Sequence, residues 1–234
     1  MAIKGILFDK DGTLIEVNGT WIPLYRAMLA EQYGHSGDEI TALLSRTGYQ
    51  AETNDIKAGS VMAGGTTREI AAIWWPEISD QERRDRVYHI DNVIGPQAKS
   101  FVKPLMNLAP VFDELHDMGL VIGVGTNDSE ASGRAHMEYL GVDHYFKIII
   151  GSDSVEVPKP SGQMIARFAK STGLDPHEIA MVGDNTHDME EARHGGAMAI
   201  AVLSGNAAHD DIAHFADHTL SSVADIPNLL KQLA

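Results

Sequence analysis

Four short stretches of this 234-residue chain set polar groups directly after apolar runs, and their residue types suit the transfer of a phosphoryl group. The first is Phe8-Asp9-Lys10-Asp11-Gly12-Thr13-Leu14, two aspartates one residue apart and then a glycine that permits a tight turn. One such carboxylate can attack phosphorus while the other handles a proton. The second, Gly125-Thr126-Asn127-Asp128, offers a hydroxyl and an amide suited to phosphate oxygens. In the third, Pro158-Lys159-Pro160, an ammonium could neutralise both a phosphate and a nucleophilic carboxylate. The fourth, Val182-Gly183-Asp184-Asn185-Thr186-His187-Asp188, supplies carboxylates able to hold a hard cation through oxygen.

Groups so far apart in sequence act together only where a fold gathers them. Open α/β sheets do this, because ligands bind beyond the carboxyl ends of their strands. From about residue 100 onward, short apolar runs alternate with amphipathic stretches, the pattern of a parallel sheet with helices on both faces. Leu120 to Gly125, Phe146 to Ile150, Ile179 to Val182 and Ala197 to Leu203 have strand length, and turn chemistry follows each. Val111, Leu115 and Met118 share a helical face, as do Met164, Ile165 and Phe168, with Gly119 and Gly173 placed to end those helices. A lone strand, Gly5 to Phe8, precedes this half. Between the two, Trp21, Leu24, Met28 and Leu29, then Ile40, Leu43 and Leu44, then Ile70, Ile73 and Trp74 recur at helical intervals, and no strong strand signal appears. A helical insertion after the first strand is the simplest account, with linkers near Leu14 to Val17 and Ser100 to Pro104.

Composition narrows the function classes. Hydrophobic residues make up 44% and charged residues 22%, ordinary for a folded body with a real core. A formal charge of -15 argues against nucleic acid and anionic membrane as partners, since both need clustered Lys and Arg. An anionic substrate would need a metal ion and local donors to reverse the field. Cysteine is absent, which excludes disulfides and thiolate zinc sites and fits the cytoplasm. The N-terminal apolar run is too short for a signal peptide, and no stretch approaches the roughly 20 apolar residues of a membrane span.

Taken in order, the four stretches resemble the haloacid dehalogenase superfamily, specifically its phosphatase branch with a helical cap after the first motif, over nearly the whole chain. The resemblance implies an α/β fold, a Rossmann-like doubly wound parallel sheet core with an inserted α-helical cap domain. The core would comprise residues 1–14 and 101–234, and the cap 15–100. Asp9 would be the nucleophile that forms a phosphoaspartyl intermediate, and Asp11 would protonate the leaving oxygen and later activate water. Thr126 and Lys159 match phosphate-holding positions, with Asn127 beside them. Magnesium would be held by Asp9, the Asp11 backbone carbonyl and Asp184, with Asp188 in support.

The expected protein is a magnesium-dependent phosphatase acting on a small phosphorylated metabolite, as a monomer or small homo-oligomer. Phosphoglycolate leads the named substrates, because cap placement and motif wording resemble phosphoglycolate phosphatases. Haloacid dehalogenases lack the second acidic residue, and ion-pumping ATPases place a threonine where Asp11 stands. One rival is a sugar-phosphate mutase, which would return the phosphoryl group and accumulate no free phosphate. The other is a regulatory module that keeps the fold without turnover.

Each residue also has a plainer account. Lys159 and Thr126 could be solvated, and Asp188 could simply cap the helix starting at Met189. His187 is set aside as a hydrogen-bonded loop residue, and Arg83-Arg84-Asp85-Arg86 reads as a wet helix face. Trp74-Trp75 belongs to the core or rim of the helical insertion. The glycine-rich run from Lys57 to Thr66 is either a loop over the site or a helix connection, and Lys10 has no evident purpose.

Overall fold

The expected first strand forms as β1 (Gly5–Phe8), apolar throughout and buried at all four residues. A strand with no polar face needs cover on both sides, and β1 has it at the centre of a six-stranded sheet. In the computed structural model, which describes residues 2–233, that sheet contains β4 (Val121–Gly125), β5 (Phe146–Ile150), β6 (Ile179–Gly183), β7 (Met198–Val202) and β8 (His218–Leu220). Strand order is β5-β4-β1-β6-β7-β8, and every pairing is parallel.

Side chains alternate between two cores. Ile6 and Phe8 point into one, with Ile122, Val124, Phe112 and Leu115, while Leu7 points into the other, with Met164, Ile165, Phe168 and Met189. Phe8, Phe112 and Phe168 are fully buried, each contributing about 2–3 kcal/mol of hydrophobic transfer. The helices covering the sheet include Ala109–Asp117 and Ile226–Leu233 on the first face and Gln163–Thr172 and Thr186–Gly195 on the second. The chain is therefore α/β, doubly wound on a parallel sheet.

Between β1 and β4 lie α1 (Val17–Glu31), α2 (Gly37–Thr47), α3 (Val61–Gly64), α4 (Thr67–Trp74) and α5 (Asp80–His89). Capping boxes at Ser36 and Thr66, each answered by a glutamate three residues on, start α2 and α4. This stretch owns a separate apolar cluster that includes Trp21, Tyr25, Leu29, Leu44, Ile70, Trp74 and Trp75. Its two connections to the sheet domain pair with each other: Glu16 N–H donates to Lys103 O at 2.9 Å and Leu105 N–H to Leu14 O at 3.0 Å.

Several local expectations need correction. Tyr49–Gln50 and Asp55–Ile56 form a small antiparallel pair, β2 and β3, inside the helical stretch; two-residue strands are too short to leave a periodic signal. Strand β8 went unread for a similar reason, being three half-buried residues. Met118 is 36% exposed because its helix ends at Asp117, so the inward face is Leu108, Phe112 and Leu115. Gly119 and Gly173 do take positive φ, 81° and 74°, just past their helices. No helix among the described residues is long and apolar enough to cross a membrane.

Candidate active site

All four polar stretches meet beyond the carboxyl ends of β1, β4 and β6. Asp9 follows β1 directly, and its backbone N–H donates to Val182 O of β6 at 2.7 Å, so the neighbouring strand fixes its position. The turn that follows requires Gly12, at φ 82°, where a Cβ would also strike the Asp184 carboxylate. Thr13 Oγ1 donates to Asp184 Oδ1 at 3.2 Å. Asp188 is held from its own helix start, its Oδ2 accepting from Asn185 N–H at 3.0 Å.

Asp9, Asp184 and Asp188 are all buried, and each can present an oxygen within 4.8 Å of the other two. Lys159 is the counter-charge, with Nζ 2.6 Å from Asp9 Oδ1 and 2.6 Å from Asp188 Oδ1. One ammonium against three carboxylates leaves the cluster anionic. Burial pushes the Asp9 carboxyl up to about 7, against the pull of Lys159 and with help from Asp188 and Asp11. Burial, then Asp9 and Asp188, raise Asp184 well above the ordinary range. Lys159 is held above its usual value despite burial, because Asp188 and Asp9 face it. Hard oxygen donors with unrelieved mutual repulsion fit a divalent cation such as magnesium.

Asp11 is arranged differently. Its carboxylate is not one of the three; Oδ2 bonds Lys10 Nζ, and Oδ1 accepts from Trp21 Nε1 of α1 at 2.6 Å. Burial would raise Asp11, but Lys10 and Trp21 outweigh it and hold the carboxyl below its usual value. Lys10 itself is fully buried, its Nζ 2.7 Å from Asp128 Oδ2 and 5.2 Å from the Trp21 ring centroid. Asp128 is pushed up to about 8 by burial, with Lys10 opposing and Asp11 adding. Lys10, Trp21 and Asp128 thus form a linked group around Asp11 in the candidate site, which sequence reasoning missed. A lysine at the end of a buried strand was the available signal, since such an ammonium must be paired.

Thr126 lines the cavity and is 1% exposed; its Oγ1 accepts from Asp128 N–H at 3.1 Å. Asn127 uses its amide on backbone: Nδ2 donates to Gly64 O at 2.8 Å and Lys159 O at 3.2 Å, while Oδ1 accepts from Lys159 N–H at 3.0 Å. In this arrangement it positions Lys159 and the Gly64 loop. His187, set aside on sequence grounds, also lines the cavity, with Nδ1 3.2 Å from Gly64 O. A Cβ at Gly64 would fall 2.8 Å from Asn185 Nδ2, so glycine permits this close approach. The glycine-rich run therefore does reach over the strand ends.

Set beside known proteins, residues 3–196 match the profile of haloacid dehalogenase-like hydrolases. A phosphoglycolate phosphatase of Chromobacterium violaceum is 37% identical over 106 residues, which span 45% of this chain and only about half, 47%, of that relative. The pyrophosphatase PpaX of Halalkalibacterium halodurans is 21% identical over 242 residues, 98% of each chain. Among solved structures, a haloacid dehalogenase-like hydrolase from Bacteroides fragilis superposes with a TM-score of 0.74 at 20% identity, covering 96% of this chain and 99% of its own. With the family profile spanning most of its length, the chain belongs to the haloacid dehalogenase-like hydrolases.

Proposed function

We propose that this hydrolase is a phosphatase that moves the phosphoryl group of a small phosphate monoester onto Asp9 and then to water. The observation that carries the proposal is Lys159 Nζ at 2.6 Å from Asp9 Oδ1 within the Asp9–Asp184–Asp188 cluster. A nucleophilic carboxylate facing a dianionic ester needs positive charge beside it, and a lone ammonium is too little. Asp9, Asp184 and Asp188 would hold magnesium, together with the Asp11 backbone carbonyl. When bound, the ion would screen the phosphate charge and the repulsion among the carboxylates.

The chemistry then belongs to the chain's own groups. Asp9 attacks phosphorus, the ester P–O bond breaks, and its electron pair leaves with the alcohol oxygen, which takes a proton from Asp11. Water next attacks the phosphoaspartyl group, giving its proton to Asp11, and the P–O bond to Asp9 breaks to release inorganic phosphate. Lys10 and Trp21 favour the ionised Asp11, which suits the second displacement; the first requires Asp11 to arrive protonated. Lys159 and Thr126 would hold phosphate oxygens in both.

Residues 15–100 act as the cap in this proposal. The cavity lies between the strand ends and the helical stretch, and in this proposal that stretch moves off to admit substrate. The paired linkers at Leu14–Glu16 and Lys103–Leu105 are the natural hinge. The name of the Chromobacterium violaceum relative makes phosphoglycolate the first ester to test.

A magnesium-supplemented panel of phosphate esters, run beside Asp9→Asn, tests the proposal. Free phosphate should accumulate with the parent and not with the variant. Transfer back to substrate without free phosphate would indicate a mutase, and no turnover of any ester would indicate a silent module.

A further inference from the structure

We infer that the group released here is an uncharged alcohol presenting an apolar face, and not a carboxylate-bearing one, an assignment that rests on the phosphatase reading above. The walls that face a leaving group come from the helical stretch. Among the described residues, the side chains it contributes to the cavity include Val17, Trp21, Tyr25, Met62, Thr67 and Ile70, and none from that stretch is Lys, Arg or His. Trp21 and Tyr25 stack with ring centroids 5.4 Å apart and planes at 29°, and Trp74 meets Tyr25 edge-on at 5.1 Å. Such a braced aromatic wall suits C–H and ring faces.

Cations elsewhere in the site are already committed. Lys159 is the ammonium lining the cavity, and it spans Asp9 and Asp188. Lys10 sits behind the wall, fully buried between Asp11 and Asp128. The His187 ring turns Nδ1 toward the Gly64 carbonyl. Asp11 and Asp128 line the same cavity, so a carboxylate on the leaving group would meet acidic side chains and apolar walls, with no uncommitted Lys or Arg among the described residues that line it. Burying an unpaired charge is costly, and sites discriminate most sharply against ligands that force it. Phosphoglycolate carries such a carboxylate, and 2-hydroxyethyl phosphate, its counterpart with a neutral leaving group, does not.

Catalytic efficiencies with magnesium should be measured for matched pairs: 2-hydroxyethyl phosphate against phosphoglycolate, and glycerol 3-phosphate against 3-phosphoglycerate. The member of each pair with the neutral leaving group is expected to be better by about tenfold or more. Met62→Arg, which brings a guanidinium to the wall, should narrow the ratio by raising the carboxylate-bearing member; the ratio in the parent enzyme stands if that variant does not fold. Equal or better efficiency with the carboxylate-bearing esters overturns the inference and leaves the phosphatase reading intact. Phosphate release from none of the four, nor from a broader ester panel, removes that reading and the inference with it.

Discussion

Trp21 Nε1 lies 2.6 Å from Asp11 Oδ1, a hydrogen bond from the first helix after β1 to the carboxylate two residues beyond Asp9. Lys10 holds the other oxygen, so the orientation of Asp11 depends on α1 being seated on the sheet domain. Trp21→Phe keeps the ring against Tyr25 and deletes the donor. Hydrogen bonds to charged groups contribute about 1.5–3 kcal/mol, so kcat should fall roughly 10- to 100-fold with KM nearly unchanged. Steady-state kinetics on any turned-over ester provides the check, and an unaltered kcat would remove Asp11 positioning from the role of Trp21.

Lys10 is fully buried against two carboxylates, Asp11 and Asp128. Removing one partner of a buried ionic cluster costs about 3–5 kcal/mol, because the charges left behind have no compensation. Lys10→Met should therefore lower Tm by roughly 10 °C in a chain of this size. Adding Asp128→Asn removes one of the stranded charges and should restore part of the loss. Calorimetry in which the double variant melts no higher than Lys10→Met would argue that packing alone explains Lys10.

Asp9 has its charged form disfavoured by burial and by the carboxylates around it, which place its carboxyl at about 7. The residue is thus poorly suited to stability and well suited to a job. Asp9→Asn should leave the metal-free protein at least as stable at pH 8, while phosphate release falls by about 10³-fold or more. Retained turnover in a folded Asp9→Asn protein would exclude Asp9 as the nucleophile.

How much of this was legible beforehand depended on the range of the interactions. β1 could be read because four consecutive apolar residues end in Asp9, and the gathering of Asp9, Lys159 and Asp184 followed once a parallel sheet was inferred from the later apolar bursts. Trp21 was read only as a helix residue at core spacing with Leu24 and Met28. Its ring does pack there, yet its N–H reaches a partner set by the seating of the helical stretch on the sheet, which no local period encodes. Lys10 and Asp128 were invisible as a pair for the same reason, lying 118 positions apart. The hairpin Tyr49–Ile56 escaped because it turns on a single positive-φ residue, Asn54 at 55°, between strands of two residues.

Addition and chelation of magnesium offer a thermodynamic test independent of turnover. Asp184 and its two neighbours repel one another while buried, and a bound cation would relieve that only in the folded state. Magnesium at about 100 times its Kd should add about 2.7 kcal/mol of stability, or roughly 5–10 °C in Tm. Asp184→Asn should abolish that shift, as should a chelator. A magnesium shift that survives Asp184→Asn would place the ion elsewhere.

Asp91 sits apart from these carboxylates, near Asp153, Arg68 and Thr67, and burial pushes its carboxyl up to about 6 from 3.8. Between those values the folded protein keeps a proton that the unfolded chain has lost, so stability declines as pH rises from 3.8 through about 6. Above that range the deficit is complete. The full shift would correspond to about 3 kcal/mol, and partial solvent access reduces it to about 1–2 kcal/mol. Asp91→Asn cannot ionise and should be more stable than the parent by that amount at pH 7. At pH 4 the parent's Asp91 is already largely protonated when folded, so the advantage should shrink towards zero. Urea denaturation at both pH values provides the measurement, and an equal difference at each would mean that Asp91 acts through something other than its charge.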